Sequence, residues 1–320
     1  MLQELFRIPF LNLPVYGYGL MMVLGFLAAV QLAKFLAIRS AIDPEVMMTG
    51  ALIMLITGVA GARISHILEN LGEFTRGSIG ENVRAMLDIR SGGLTYYGGF
   101  LLATPCAILY GLWQKVPIKR GMDIIAPCLM VGLAFGRIGC FLNGCCYGAE
   151  CNLPWAVSFP YYSNAYLDEF HERRLQTPVP PMLMVPTRDG GEKLLEPQYL
   201  KDDAVLKSEA NKVGSNYLHP TQLYSSITAF MLAALLVAYY SMPHAPGRVF
   251  ALMLMLEGAT RFLLEMIRVE PAVVGPFSLS MVLGILLVVS GILMWLLTAG
   301  PNDDLEFHAE SIHSPIAETA

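Results

Sequence analysis

"FSLSMVLGILLVVSGILMWLL", Phe277 to Leu297, carries no ionisable side chain from one end to the other. At helical rise its length matches a hydrocarbon core about 30 Å thick, so it reads as a membrane span. The same ruler finds six more spans, near Tyr16 to Ile38, Val46 to Leu68, Leu94 to Trp113, Asp123 to Leu142, Thr221 to Tyr240 and Val249 to Ile267. The third is the least regular, since "GGLTYYGGFLLATPC" holds several glycines and Pro105, residues that membrane helices tolerate better than soluble ones.

Composition agrees with that reading. Of 320 residues, 55% are hydrophobic and 15% charged, and the mean hydropathy is +0.52, the balance of a membrane protein. The formal charge of −5 argues against a nucleic-acid partner, because a phosphate-tracking surface needs an excess of Lys and Arg. The opening "MLQELFRIPFLNLP" lacks the basic, apolar, small-residue order of a cleaved signal, so the first apolar run is expected to be retained. With the amino terminus outside, the inner loops and adjoining helix ends hold Lys34, Arg39, Lys115, Lys119, Arg120 and Arg248, against Arg76, Arg84, Arg90 and Arg268 outside. That bias follows the positive-inside rule. The expected fold is all-α, a polytopic inner-membrane protein with seven transmembrane helices and a small periplasmic head. Its parts are 1–148 with the first four spans, the head at 149–218, 219–298 with the last three spans, and a cytoplasmic tail at 299–320. The tail, "NDDLEFHAESIHSPIAETA", is poor in apolar residues and predicts disorder. The prolines of "TPVPPMLMVP" and the turn signal "RDGGEK" predict an irregular head with little core of its own.

Charges inside the spans cost several kcal/mol each on even the gentlest scale and need partners or a task. In "FALMLMLEGATRFLLEMIRVEP", Glu257, Arg261, Glu265 and Arg268 recur at intervals that put them on one helical face. They form either a self-neutralised ladder or a cavity wall in which Arg261 or Arg268 binds an anion and the glutamates fix its rotamer. Arg63 lies in "GARISHIL", three residues before His66, and Arg137 in "GRIGCFLNGCCYG", residues 136–148. Guanidinium forks gathered in a membrane point to an oxyanion, of which lipid phosphate is the abundant one there. A lipid enzyme, an anion or lipid transporter and an ion-paired bundle all remain open. The glycines beside Arg137 favour a ligand, since glycine lets backbone approach one closely.

On these residues the chain resembles the prolipoprotein diacylglyceryl transferases. Gly136, Arg137, Gly139, Phe141, Asn143, Gly144 and Gly148 match that family's signature. Further blocks follow in the family's order: the entry at Tyr18 to Met21, Arg63, "GGLTYYGG" at Gly92 to Gly99, "HPTQLY" at His219 to Tyr224 and "RFLLEMIR" at Arg261 to Arg268. The resemblance implies seven spans with the amino terminus outside. It also implies transfer of diacylglyceryl from phosphatidylglycerol to the lipobox cysteine of a preprolipoprotein, with glycerol phosphate leaving. Arg137 and Arg261 would then stabilise the charge growing on the phosphate. Arg63 would serve structure or headgroup contact. Tyr18, Gly98, Gly99, Asn143, Gly148, His219, Gln222, Tyr224 and Glu265 would line the substrate site. For Tyr18 and Tyr224 an interfacial aromatic belt is the plainer alternative, and for His219 and His66 a packing role.

Several positions depart from the family pattern. Tyr97 stands where many members have histidine, and a phenol, ordinarily titrating near 10, is a poor general base at neutral pH. Tyr97 is therefore expected to orient the lipid, although a base role and a reaction with no side-chain base stay open. Cys140 and Cys145 replace asparagine and glutamate, Ser225 stands where glutamate is usual, and Glu257 where tyrosine is. For Cys140, Cys145, Cys146 and Cys151 three readings compete. Cys145 or Cys146 could pair with Cys151, the four could hold zinc, or a cysteine could act as a covalent relay. The zinc reading is weakened by the lack of paired CxxC spacing, so no metal is expected. Cys106 and Cys128 read as small packing residues. No cofactor is expected, since the reaction exchanges one leaving group for another, and the protein is expected to act as a monomer.

Overall fold

The computed structural model describes residues 4–8, 13–75, 77–88, 93, 95–186, 191–200, 203–268, 273 and 275–298. Arg76, Arg90, Gly92, Leu94, the first half of the "RDGGEK" turn and the tail at 299–320 lie outside the described residues. The helices, in chain order, are α1 (Gly17–Arg39), α2 (Pro44–Glu69), α3 (Leu71–Phe74), α4 (Ile79–Leu87), α5 (Tyr96–Trp113), α6 (Ile118–Asn143), α7 (Asn164–His171), α8 (Pro197–Leu200), α9 (Ala204–Ala210), α10 (Thr221–Tyr240), α11 (Arg248–Glu265) and α12 (Leu279–Leu297). Strands β1 (Glu4–Ile8) and β2 (Leu13–Tyr16) form one antiparallel hairpin, and β3 (Met184–Pro186) and β4 (Glu192–Leu194) another.

The expected helical architecture is met in part. The fold is mostly helical rather than all-α, because the hairpins frame the amino-terminal entry and part of the head. Of the seven expected spans, five helices among the described residues are long and apolar enough to cross a membrane: α1, α2, α6, α10 and α12. The apolar run of α5 is shorter, at Tyr97–Trp113. Helix α11 is long enough but carries Arg248, Glu257, Arg261 and Glu265.

The chain forms two compact units. One comprises Val30–Cys128, Tyr240–Phe250 and Thr298–Ala320. Within it α2 and α5 approach through glycine. A Cβ on Gly61 would lie 2.5 Å from the Gly98 carbonyl oxygen, and one on Gly99 would lie 2.9 Å from that of Gly58. Such small-residue contact lets helices gain packing where no hydrophobic effect drives them together. Buried Arg63, on α2, donates from Nε to the Met86 carbonyl (2.9 Å), from Nη1 to Gly93 (3.0 Å) and from Nη2 to Ala85 (2.7 Å) and Asp88 (2.9 Å). His66 sits beside it, against Asn70 and the edge of Phe74. In the same unit Asp123, on α6, accepts from the Gly247 and Phe250 amides at 2.6 and 2.9 Å. It thus caps the first turn of α11, whose amides have no partner within the helix. Asp123→Ala should cost about 1–2 kcal/mol, read as a lower melting midpoint in detergent, with Asp123→Asn intermediate.

The other unit comprises Met1–Ala29, Leu129–Tyr239 and Ala251–Leu297. Gly258 and Gly284 let α11 and α12 touch, a Cβ on Gly258 falling 2.6 Å from the Gly284 carbonyl. Ser226 on α10 donates to the Ala134 carbonyl of α6 at 3.0 Å. The head has more core than the sequence suggests: Tyr166, Leu183, Leu194, Leu200, Ala210 and Val213 pack together. Glu169, fully buried, accepts from the Asn216 amide at 2.9 Å, and burial raises its pKa above the usual carboxylate value. A second cluster of Phe159, Ala165 and Leu218 packs against Phe141 at the end of α6. The Ala165 amide donates to the Gly144 carbonyl at 3.1 Å, tying the head to the arginine-bearing motif.

Candidate active site

Helix α6 supplies Arg137 and ends at Asn143, after which Gly144 turns the chain with φ +71°. The turn sends Cys145 and Cys146 back toward the helix end, where the Cys145 amide donates to the Cys140 carbonyl at 3.1 Å. Two residues of α10 hold the turn from the other side. Gln222 Nε2 donates to the Cys145 carbonyl and Thr221 Oγ1 to the Cys146 carbonyl, each at 2.8 Å.

Beside this turn lies a cleft of about 400 Å³ lined by Arg137, Cys146, Thr221, Ser225, Glu257, Thr260, Arg261, Leu264, Glu265 and Arg268. All these residues belong to one unit. Three guanidiniums against two carboxylates leave the lining net cationic, suited to an anion. The charge ladder of α11 divides in two. Glu265 is buried and engaged, accepting from Ser278 Oγ at 2.9 Å and from Arg268 Nη1 at 3.3 Å. Arg261 is different: its Nε is buried without a hydrogen-bond partner, as is that of Arg268, but Arg261 lacks the carboxylate contact that Arg268 has. Among the described residues neither Arg261 nor Arg137 makes a hydrogen bond or ion pair. Buried polar groups are ordinarily satisfied, so such donors facing a cleft mark a place where a ligand completes the set. The ladder thus has one ion-paired half, Glu265 with Arg268, and one half, at Arg261, that faces the cleft without such a pair.

The cleft gathers only some of the residues expected from sequence. Arg137, Arg261 and Glu265 line it. Gln222 does not: it is fully buried, and its amide supports the cysteine turn. Gly148 packs against the start of α10, its amide donating to the His219 carbonyl at 2.9 Å, and a Cβ there would lie 2.6 Å from Thr221 Cγ2. His219 Nδ1 lies 3.3 Å from the Tyr224 hydroxyl, which accepts from Trp155 Nε1 at 2.7 Å. Tyr18 is partly exposed and covers Gly139, within electrostatic reach of Arg137 and Cys140. Asn143 is half-buried, its side chain within hydrogen-bonding reach of Cys145. Tyr97, Gly98, Gly99 and Arg63 belong to the other unit, where the Tyr97 ring is exposed. The glycines there meet α2, and Arg63 clasps the last turn of α4 together with the Asp88 and Gly93 carbonyls.

Thr221, Ser225, Thr260 and Cys146 line the cleft and were not singled out as substrate contacts. Thr221 and Ser225 are spaced by one helical turn, a face that could have been read from "HPTQLYSS". Ser225 and Glu257, both departures from the family pattern, face the same cleft. The carboxylate missing at 225 on α10 is thus matched by one at 257 on α11. All six cysteines are free thiols, so the expected pairing with Cys151 is not formed, while Cys140, Cys145 and Cys146 bring their sulfurs within 4.8 Å of one another.

A family model described as prolipoprotein diacylglyceryl transferase matches residues 3–297. Among similar proteins, all called phosphatidylglycerol--prolipoprotein diacylglyceryl transferase, one from Rhodopirellula baltica is 37% identical over 48% of this chain and 32% of its own length. One from Clostridium tetani is 27% identical over 89% of this chain and 93% of its own. A third, from Chromobacterium violaceum, is 29% identical over 80% of each.

Proposed function

Because the chain belongs to the prolipoprotein diacylglyceryl transferase family, we propose that it moves the diacylglyceryl group of phosphatidylglycerol onto the lipobox cysteine of preprolipoproteins. The observation that carries this reading is the cationic cleft, where Arg137 and Arg261, with Glu257 nearby, present guanidinium donors that make no hydrogen bond or close ion pair among the described residues. In the reaction the cysteine sulfur forms a bond to the glyceryl carbon while the carbon–oxygen bond to phosphate breaks. The electron pair of that bond passes to a phosphate oxygen, and glycerol phosphate leaves. Donors fixed in advance stabilise the growing charge without reorganising at the moment of reaction. Glu265 and Ser278 hold Arg268 and the end of α11 in place. A transporter with the same arginines is not retained, since family membership goes with the enzyme.

The membrane arrangement is part of the proposal. Helices α5 and α11 join the five longer ones as spans, making seven, with the charges of α11 turned to the cleft. The amino terminus and the head face the periplasm, the carboxyl terminus the cytoplasm, and the membrane is the bacterial inner one. Among described residues, Lys34, Arg39, Lys115, Lys119, Arg120 and Arg248 then lie inside, against Arg84 and Arg268 outside. That the protein acts as a monomer belongs to the same proposal. Tyr18, Asn143, His219 and Tyr224 are assigned to the lipid glycerol and the peptide, and Tyr97 to lipid orientation. Gly148 and Gln222 support these contacts from behind, and Gly98, Gly99 and Arg63 shape the unit that carries Tyr97.

The test uses the purified full chain, phosphatidylglycerol labelled in its acyl chains, and a lipobox peptide carrying cysteine or serine. Label should reach the cysteine peptide alone; failure to label either would refute the assignment. Tyr97→Phe should raise KM for the lipid and change kcat less than about threefold, since a general base would contribute about a hundredfold or more.

A further inference from the structure

Cys140, Cys145 and Cys146 meet where the end of α6, the turn after it and the start of α10 come together. Their three sulfurs lie within 4.8 Å of one another. Tetrahedral zinc with sulfur at about 2.3 Å requires sulfurs about 3.8 Å apart, so the cluster needs only small side-chain adjustments to close on an ion. The turn is built to hold this arrangement. Cys146 has φ 61°, a left-handed conformation that is unfavourable for a residue with a side chain and persists only when its surroundings enforce it. The enforcement is visible in Gln222, fully buried, and Thr221, which grip the two successive carbonyls of Cys145 and Cys146.

The surroundings distinguish this cluster from packing thiols. All three cysteines are only partly buried, and Cys146 lines the cleft that also holds Arg137, Arg261 and Arg268. Three thiolates around a divalent ion carry one net negative charge, which the neighbouring guanidiniums offset. Three protein ligands leave a tetrahedral ion one open position, the arrangement of catalytic rather than structural zinc. A disulfide between any two of the cysteines would leave the third sulfur unused beside it.

We propose that Cys140, Cys145 and Cys146 bind zinc and that the fourth position takes the sulfur of the incoming cysteine peptide, presenting it to the lipid as a thiolate. This rests on the transferase reading above and names what activates the nucleophile in a chain with tyrosine at position 97. Coordination releases the thiol proton to solvent. The sulfur then bonds to the glyceryl carbon, the carbon–oxygen bond breaks with its electron pair going to phosphate, and the arginines receive the leaving group. The product thioether, a weaker ligand than a thiolate, departs. No atom changes oxidation state, and the zinc ion is regenerated.

The experiment uses full-length protein purified in detergent without chelator. About one zinc per chain is expected, lost in Cys145→Ser and Cys146→Ser and kept in Cys151→Ser. Cobalt substituted for zinc should give sulfur-to-metal charge-transfer absorption that changes when a cysteine lipobox peptide is added and stays unchanged with the serine peptide. Stripping the metal should slow transfer about tenfold or more, and zinc should restore it. Metal-free protein that transfers at the full rate would overturn the proposal, as would isolated protein containing no metal and a disulfide within the cluster. A cobalt spectrum that responds to the peptide in a protein that never transfers lipid would uphold the metal site and overturn the transferase reading instead. Measurements on the unmodified chain keep the proposal testable even if the cysteine variants fail to fold.

Discussion

Arg137→Ala is expected to lower kcat for diacylglyceryl transfer by about a hundredfold to a thousandfold while leaving the protein folded. The first half follows from where the charge grows. Arg137 lies on the wall of the cationic cleft with Arg261, and its fork makes no hydrogen bond or ion pair among the described residues. Its interaction with a phosphate therefore strengthens as the bond to the glyceryl carbon breaks, which affects kcat more than lipid affinity. The second half follows from the same observation, because truncation strands no buried acceptor that the guanidinium had been satisfying. Arg137→Lys should recover only part of the activity, since an ammonium keeps the charge and loses the two-pronged geometry. Steady-state kinetics and a melting curve on the same preparation check both halves. A rise in KM with kcat unchanged would move Arg137 from the reaction to lipid binding.

Gly98→Leu is expected to prevent accumulation of folded protein. A Cβ at this position would fall on Ser65 Cβ and 2.6 Å from the Gly61 carbonyl oxygen. Helix backbone cannot move aside as a flexible side chain can, so α2 and α5 must separate. Overpacking of this kind costs about 1–3 kcal/mol or more, a large share of a domain's stability of about 5–15 kcal/mol. Gly19→Leu is the control, because nothing lies within 4 Å of a Cβ there. Size-exclusion profiles of the two variants give the comparison. A Gly98→Leu protein that folds normally but binds phosphatidylglycerol weakly would return Gly98 to the substrate.

The spans were legible in the sequence because length and lack of charge in a hydrocarbon phase leave few alternatives. Expected and observed helix boundaries agree to within a few residues, as for Thr221–Tyr240. Helix α11 departs from a plain apolar span for a physical reason: Glu257, Arg261 and Glu265 on it line the cleft. In the site, Arg137, Arg261 and Glu265 could be read because buried charge in a membrane demands a reason. Gln222 and Gly148 lie beside the cleft and not on its wall, for a shared cause. A motif tells which residues lie near a site and is silent on which of them face it. For Gln222 the difference is set by an amide turned to the Cys145 carbonyl. The three-sulfur cluster was hidden as well, since linear spacing cannot show that Gly144 folds Cys145 and Cys146 back onto the last turn of α6.

The bond from Ala165 to Gly144, with the Phe159 and Phe141 rings meeting edge to face at 5.9 Å and Ser163 seated against Gly144, makes the head a brace for that turn. Chimeras that exchange this segment between relatives must therefore carry Phe159, Ser163 and Ala165 together. A graft that replaces them with a flexible linker would loosen the reaction centre even though every span stayed intact.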